Sequence, residues 1–106
     1  MKNACTLFLF FIAVLFISCK KNDYRVRFTN NYSLQVSNIF AGTAGLGTVS
    51  PGQSSEYVSI PAGDFSITGQ TTTGYLQGNG NISGKGTHKF TITLGADKKL
   101  LLTEDN

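Results

Sequence analysis

Between Tyr24 and Phe28 the chain alternates apolar and polar positions. Tyr24, Val26 and Phe28 fall on one side, with Arg25, Arg27 and Thr29 on the other. That period of two is the signature of a strand with one buried face. Asn30-Asn31-Tyr32-Ser33 reads as a turn. Leu34 and Val36 resume the alternation, but Ile39 and Phe40 are adjacent, so the register slips by one near Asn38, as a bulge or a strand switch would make it do. Pro51-Gly52 after Ser50 has the residues of a type II turn, with Gly at the position that needs positive φ. Pro61-Ala62-Gly63 suits a three-residue hairpin loop, with Gly63 in the left-handed bulge position. That hairpin would set Ser59 against Phe65 and Tyr57 against Ile67, with Val58 and Ile60 on the opposite side.

From Thr68 to Gly86 the pattern thins into "TGQTTTGYLQGNGNISGKG", where only Tyr75, Leu76 and Ile82 are large apolar anchors. The segment is expected to be one or two loose edge strands with mobile connections. Clean alternation returns in "THKFTITL", with His88, Phe90, Ile92 and Leu94 on one face and Thr87, Lys89, Thr91 and Thr93 on the other. Gly95-Ala96-Asp97-Lys98 then turns the chain into a last strand, Lys99 to Thr103. No helical period occurs after residue 18. Short strands separated by turn signals predict an all-β domain, a small immunoglobulin-like antiparallel β-sandwich of about seven strands or a small barrel. The expected core is Phe28, Val36, Val58, Ile67, Phe90 and Ile92. There is no detectable internal repeat.

The start of the chain has a different logic. Met1-Lys2-Asn3 precedes an uncharged run from Ala4 to Ile17, the layout of a secretory signal peptide. The run is shorter than the ~20 apolar residues that a spanning helix needs. Phe16-Ile17-Ser18-Cys19 resembles a lipobox, in which the cysteine sulfur is diacylated and the chain cut just before it; the usual first residue, Leu, is Phe16 here. On this reading residues 1–18 are a lipoprotein signal peptide, 19–23 are a lipidated Cys19 and tether, and 24–106 are the β-sandwich domain. Lys20 to Asp23, fully extended, would span ~14 Å. The domain would then ride close to the membrane.

Cysteine usage and charge agree with this division. Cys5 lies in the segment to be removed and Cys19 is the acylated residue, so the mature domain holds together without disulfides, unlike many small exported domains. Removing Lys2 from the nine basic residues leaves eight against six acidic ones. Lys20 and Lys21 supply that excess beside the lipid. They suit headgroup contact rather than nucleic-acid recognition.

The pattern Tyr24-x-Val26-x-Phe28, Val49-x-Pro51-Gly52 and Tyr57-x-x-Ile60-Pro61-x-Gly63-x-Phe65-x-Ile67 resembles small β-sandwich domains carried by exported bacterial lipoproteins of the Bacteroidota type. The matching positions are turns and core. The resemblance therefore implies an architecture and an envelope location, either periplasmic or surface-facing and outer-membrane in the leading reading. It carries over no catalytic residue.

The residues themselves offer little chemistry. His88 is the sole histidine and shares a face with Phe90 and Ile92, which suits a structural role better than general-base or metal chemistry. Serines are frequent, but no G-x-S-x-G elbow occurs. "GNGNISGKG" lacks phosphate-loop spacing, with Gly86 where a hydroxyl is needed. The acidic residues Glu56, Asp64, Asp97, Glu104 and Asp105 make neither a calcium loop nor a glycosidase pair. No enzyme, cofactor or metal is therefore expected. The expected role is a non-catalytic structural or protein-interaction module, with Tyr75, Leu76, Gln77, Asn79 and Asn81 as the candidate contact residues. The alternative is a carbohydrate-binding accessory lipoprotein using Tyr32, Tyr57, Tyr75 and the amides of Gln70, Gln77, Asn79 and Asn81. A ring of exposed aromatics would favour the glycan, and a flat uncovered edge strand the protein partner.

Overall fold

The computed structural model of the chain describes residues 22–105. The expected signal peptide, Cys19 and Lys20-Lys21 lie outside the described residues. Eight strands follow in order: β1 Asp23–Asn30, β2 Val36–Ala41, β3 Ala44–Val49, β4 Val58–Ile60, β5 Gly63–Thr71, β6 Gly74–Ile82, β7 Thr87–Leu94 and β8 Leu100–Asp105. They form two four-stranded sheets, ordered β4-β1-β7-β8 and β3-β2-β5-β6. The fold is the expected all-β sandwich.

Alternation fixes which side of each strand is buried. Tyr24, Val26 and Phe28 of β1 and Phe90, Ile92 and Leu94 of β7 meet Val36, Ile39, Ala41, Ile67, Leu76 and Ile82 of the other sheet. Of the expected core residues, Phe28, Val36, Ile67, Phe90 and Ile92 are buried. Val58 is only partly buried, because β4 is a three-residue strand at the sheet's edge.

The pairing differs from a purely antiparallel sandwich at one place. β1 and β7 run parallel over eight register pairs, from Asp23↔Thr87 to Asn30↔Leu94, while the remaining strand pairs are antiparallel. A parallel pair needs a long crossover. Strands β2 to β6 provide it, passing through the second sheet on the way.

The local expectations divide. Asn38 has φ 50°, and the register of β2 shifts between Val36 and Ile39, so the irregularity falls where the adjacent Ile39 and Phe40 placed it. Gly52 has φ 81°, and the Gln53 amide donates to the Ser50 carbonyl at 3.1 Å, the geometry of the Pro51-Gly52 turn. The Pro61-Ala62-Gly63 hairpin does not form. β4 pairs with β1, and β5 pairs with β2 and β6, so this loop carries the chain between sheets and Ser59 and Tyr57 do not face Phe65 and Ile67. A left-handed glycine, Gly63 at φ 109°, serves a change of sheet as well as a hairpin. The last strand also begins and ends later than expected.

The segment from Thr68 to Gly86 is more regular than its composition suggests. β5 and β6 pair without a break from Gly63↔Ile82 to Thr71↔Gly74, joined by Thr72-Thr73. The missing apolar side chains are replaced by close packing onto glycine. Phe65 lies directly across from Gly80, where an added Cβ would come within 2.5 Å of the ring. At Gly78 it would come within 2.9 Å of Leu100.

Candidate interaction edge and its surroundings

β6 separates the candidate contact residues by parity. Tyr75, Gln77, Asn79 and Asn81 point outward and are exposed, while Leu76 and Ile82 point into the core. Leu76, at 5% exposure, is a core residue and leaves the candidate contact set. Successive strand residues face opposite ways, so Leu76 does not share the outward sheet face of Tyr75.

Across from the outward row stand Gln70, Thr68, Ser66 and Asp64 of β5. Asn81 donates to Asp64 at 2.6 Å, and Asn38 donates to Gln70 at 3.0 Å. Phe40, opposite Thr68, is 42% exposed, and Tyr75 is 77% exposed. This outer sheet face is thus mostly amides and hydroxyls, with two aromatics and one acidic residue, Asp64.

The four sheet edges are not alike. β4 is three residues long. β3 shifts register against β2 and has Gly47 at φ 81°. β8 ends in Glu104-Asp105 and follows Lys98-Lys99. Shortness, irregularity and charge are the devices that stop an edge from pairing with another chain. β6 has none of them. It is nine residues long, keeps register throughout and carries neither charge nor proline. Among the described residues β5 is the strand that pairs with it.

Beside the first half of β6 lies a cleft of about 430 Å³ lined by Tyr75, Leu76, Gln77, Gly78, Lys98, Lys99 and Leu100. Lys98 and Lys99 are exposed. Lys98 sits at φ 68° in a turn closed by its own amide donating to the Gly95 carbonyl at 2.9 Å. The acidic residue of that turn, Asp97, accepts from the Lys99 amide at 3.2 Å. The sequence marks this turn but says nothing of its neighbour across the sandwich. The pairing of basic turn and edge strand was therefore out of reach.

At the opposite end His88 stacks on Tyr24 and Phe90, with ring centroids 6.0 and 6.3 Å away. Its Nδ1 meets a Glu104 carboxylate oxygen and its Nε2 the Lys85 carbonyl, each at 2.7 Å. Both partners are acceptors, so the doubly protonated ring satisfies both. The Glu104 bond, then the Lys85 carbonyl, raises the His88 pKa from its usual value. On the outer face of the β4-β1-β7-β8 sheet, Tyr57 donates to Asp105 at 2.7 Å and Thr91 donates to the same carboxylate. These bonds hold Asp105 below the usual carboxylate range, and the one to Asp105 raises the Tyr57 pKa. Arg27 and Lys89 lie 5.0 and 5.1 Å from the Tyr57 ring centroid, within cation–π range. Tyr57 is thus tied into the β1-β7-β8 sheet, away from the Tyr75 row. Among the described residues no group of three or more His, Cys, Asp or Glu side chains is placed to hold a metal ion.

No protein-family model matches the chain, and no curated protein does. Solved structures do. The N-terminal domain of AlgF from P. aeruginosa superposes with a TM-score of 0.53 at 20% identity, over 84% of this chain and 100% of that one. The NMR structure of a protein from Eubacterium rectale gives 0.52 at 20% identity, over 79% and 89%. At that identity the likeness is one of fold.

Proposed function

We propose that the protein is an exported, lipid-anchored module of the bacterial cell envelope, held at the outer membrane by Cys19, which works without catalysis by accepting an extended segment of a protein partner along β6. The observation that carries the reading is the contrast between β6 and the other three edges. A long, regular, uncharged edge offers a row of backbone donors and acceptors to a strand from outside. The anchor rests on the uncharged run that ends at Phe16-Ile17-Ser18-Cys19.

Two changes test the two halves of the proposal. Cys19→Ala should leave the protein unprocessed or release it from the membrane fraction. Gln77→Lys with Asn79→Lys places two charges on exposed positions of the edge and should abolish capture of envelope partners while the far-ultraviolet spectrum stays that of a β-protein. Capture that survives the double change, with folding intact, overturns the edge as the site.

A second reading, a carbohydrate-binding accessory lipoprotein, draws support from the outer face itself. Tyr75 is exposed beside a ladder of Gln77, Asn79 and Asn81, residue types that stack on and hydrogen-bond neutral sugars. Tyr75→Ala should then remove binding on a glycan array, whereas under the first reading the array stays blank.

A further inference from the structure

We infer that the segment accepted by β6 is acidic at its C-terminal end, with Lys98 and Lys99 as the residues that select it. The inference rests on the edge-pairing reading above. It adds a charge and a direction to it.

The cleft that adjoins the edge covers only one half of β6. Tyr75, Gln77 and Gly78 line it from the strand, while Lys98 and Lys99 line it from the β7–β8 turn. Both lysines are exposed, and among the described residues the ion pairs are Asp23 with Arg25 and His88 with Glu104, neither involving this turn. Asp97 is engaged with the Lys99 backbone amide. Two positive charges thus flank the Tyr75 end of β6, against the single carboxylate of that turn, Asp97, which forms no ion pair with either lysine among the described residues. The Ile82 end differs, since Asp64 stands there with Asn81. A strand laid along the edge meets an excess of positive charge at the Tyr75 end, whereas at the Ile82 end Asp64 stands with Lys85 of the following turn and the charges are balanced.

Direction follows from pairing geometry. Antiparallel pairing is the more stable arrangement, and β6 runs from Gly74 to Ile82. An antiparallel partner runs the opposite way, so its C-terminal residues, or a terminal carboxylate, arrive over Tyr75 and within the cleft. Carboxylates there meet the lysine ammonium groups. The same charges at the partner's N-terminal end would meet Asp64 and Lys85, whose charges balance.

A library of random nine-residue peptides with free C-termini tests this against the full chain held in detergent. Wild type should enrich Asp and Glu over Lys and Arg in the last three positions by at least tenfold. Lys98→Glu with Lys99→Glu should reverse that preference, and Gln77→Lys with Asn79→Lys should remove enrichment altogether, each variant keeping the wild-type far-ultraviolet spectrum. If peptides bind and the charge-reversal variant keeps the wild-type preference, the inference fails and the strand-accepting reading stands. If wild type enriches nothing, or the double-lysine edge variant enriches as wild type does, the edge-pairing reading falls and the inference with it.

Discussion

Asn30 is fully buried, and its side chain is used at both ends. Its Nδ2 donates to the Leu34 and Val49 carbonyls at 2.8 and 3.0 Å, and its Oδ1 accepts from the Tyr32 amide at 2.9 Å. The sequence reads Asn30 as the start of a turn. The turn is there, but its first residue also clamps the end of β1 to β3 of the opposite sheet. Alternation cannot show this, because an asparagine at a strand end looks like any turn former. Asn30→Ala would leave two carbonyls and an amide without this partner. It should cost about 2–3 kcal/mol in urea unfolding. His88 makes a different prediction. Its pKa is raised in the folded protein, so its contribution is complete below the unfolded value of about 6.5 and is lost as pH rises through the folded value. The urea midpoint of wild type should fall between pH 6 and 8.5, and that of His88→Gln should stay flatter there. Asp105 works in the opposite sense: its pKa is lowered, so its contribution is lost as pH falls through that lowered value.

Among the elements, β5 and β6 show where composition misleads. Their glycines suggest looseness, yet Gly69 is a buried position at which an added Cβ would stand 2.9 Å from Val36 and 3.7 Å from Ile39 and Leu76. Gly69→Ala must displace Val36, which is itself fully buried. It should destabilise the domain by about 1–3 kcal/mol, read as a lower urea midpoint at unchanged slope. Glycine here makes room for side chains of the neighbouring strands β2 and β6 of its own sheet. That is a tertiary fact, and a single chain's propensities do not contain it. β1 and β7 were legible because both are long, alternating and rich in β-branched or aromatic residues. Of the candidate contact row, Tyr75, Gln77, Asn79 and Asn81 were legible as types. Their shared face follows from strand parity once β6 is known to run unbroken, and parity is also what removes Leu76.

For the whole molecule, the class of fold was readable and the topology was not. Turn signals mark most of the reversals, though the one at Gly42-Thr43 between β2 and β3 goes unread, and eight strands form where about seven are expected. Pro61-Ala62-Gly63 has the same residues whether the chain returns along its own sheet or crosses to the other. The single core between the sheets makes one more prediction. Phe90 is buried in a central strand, so Phe90→Ala should lower stability by about 3–5 kcal/mol, with near- and far-ultraviolet signals lost together in one transition, as expected of a small domain.

The parallel pairing of β1 with β7 has a consequence in time. Arg27 and its partner Thr91 are 64 residues apart, and a ribosome adding roughly 5–20 residues per second needs about 3–13 s to cover that distance. Throughout this interval β1 has been made and its central neighbour has not. The four strands of the other sheet, by contrast, are complete once Ile82 has been added. The newborn chain therefore owns the sheet that bears Tyr75 before it owns the one that holds β1. Arg25 and Arg27, set between Tyr24, Val26 and Phe28, keep the waiting strand charged on one side until Phe90 and Ile92 arrive.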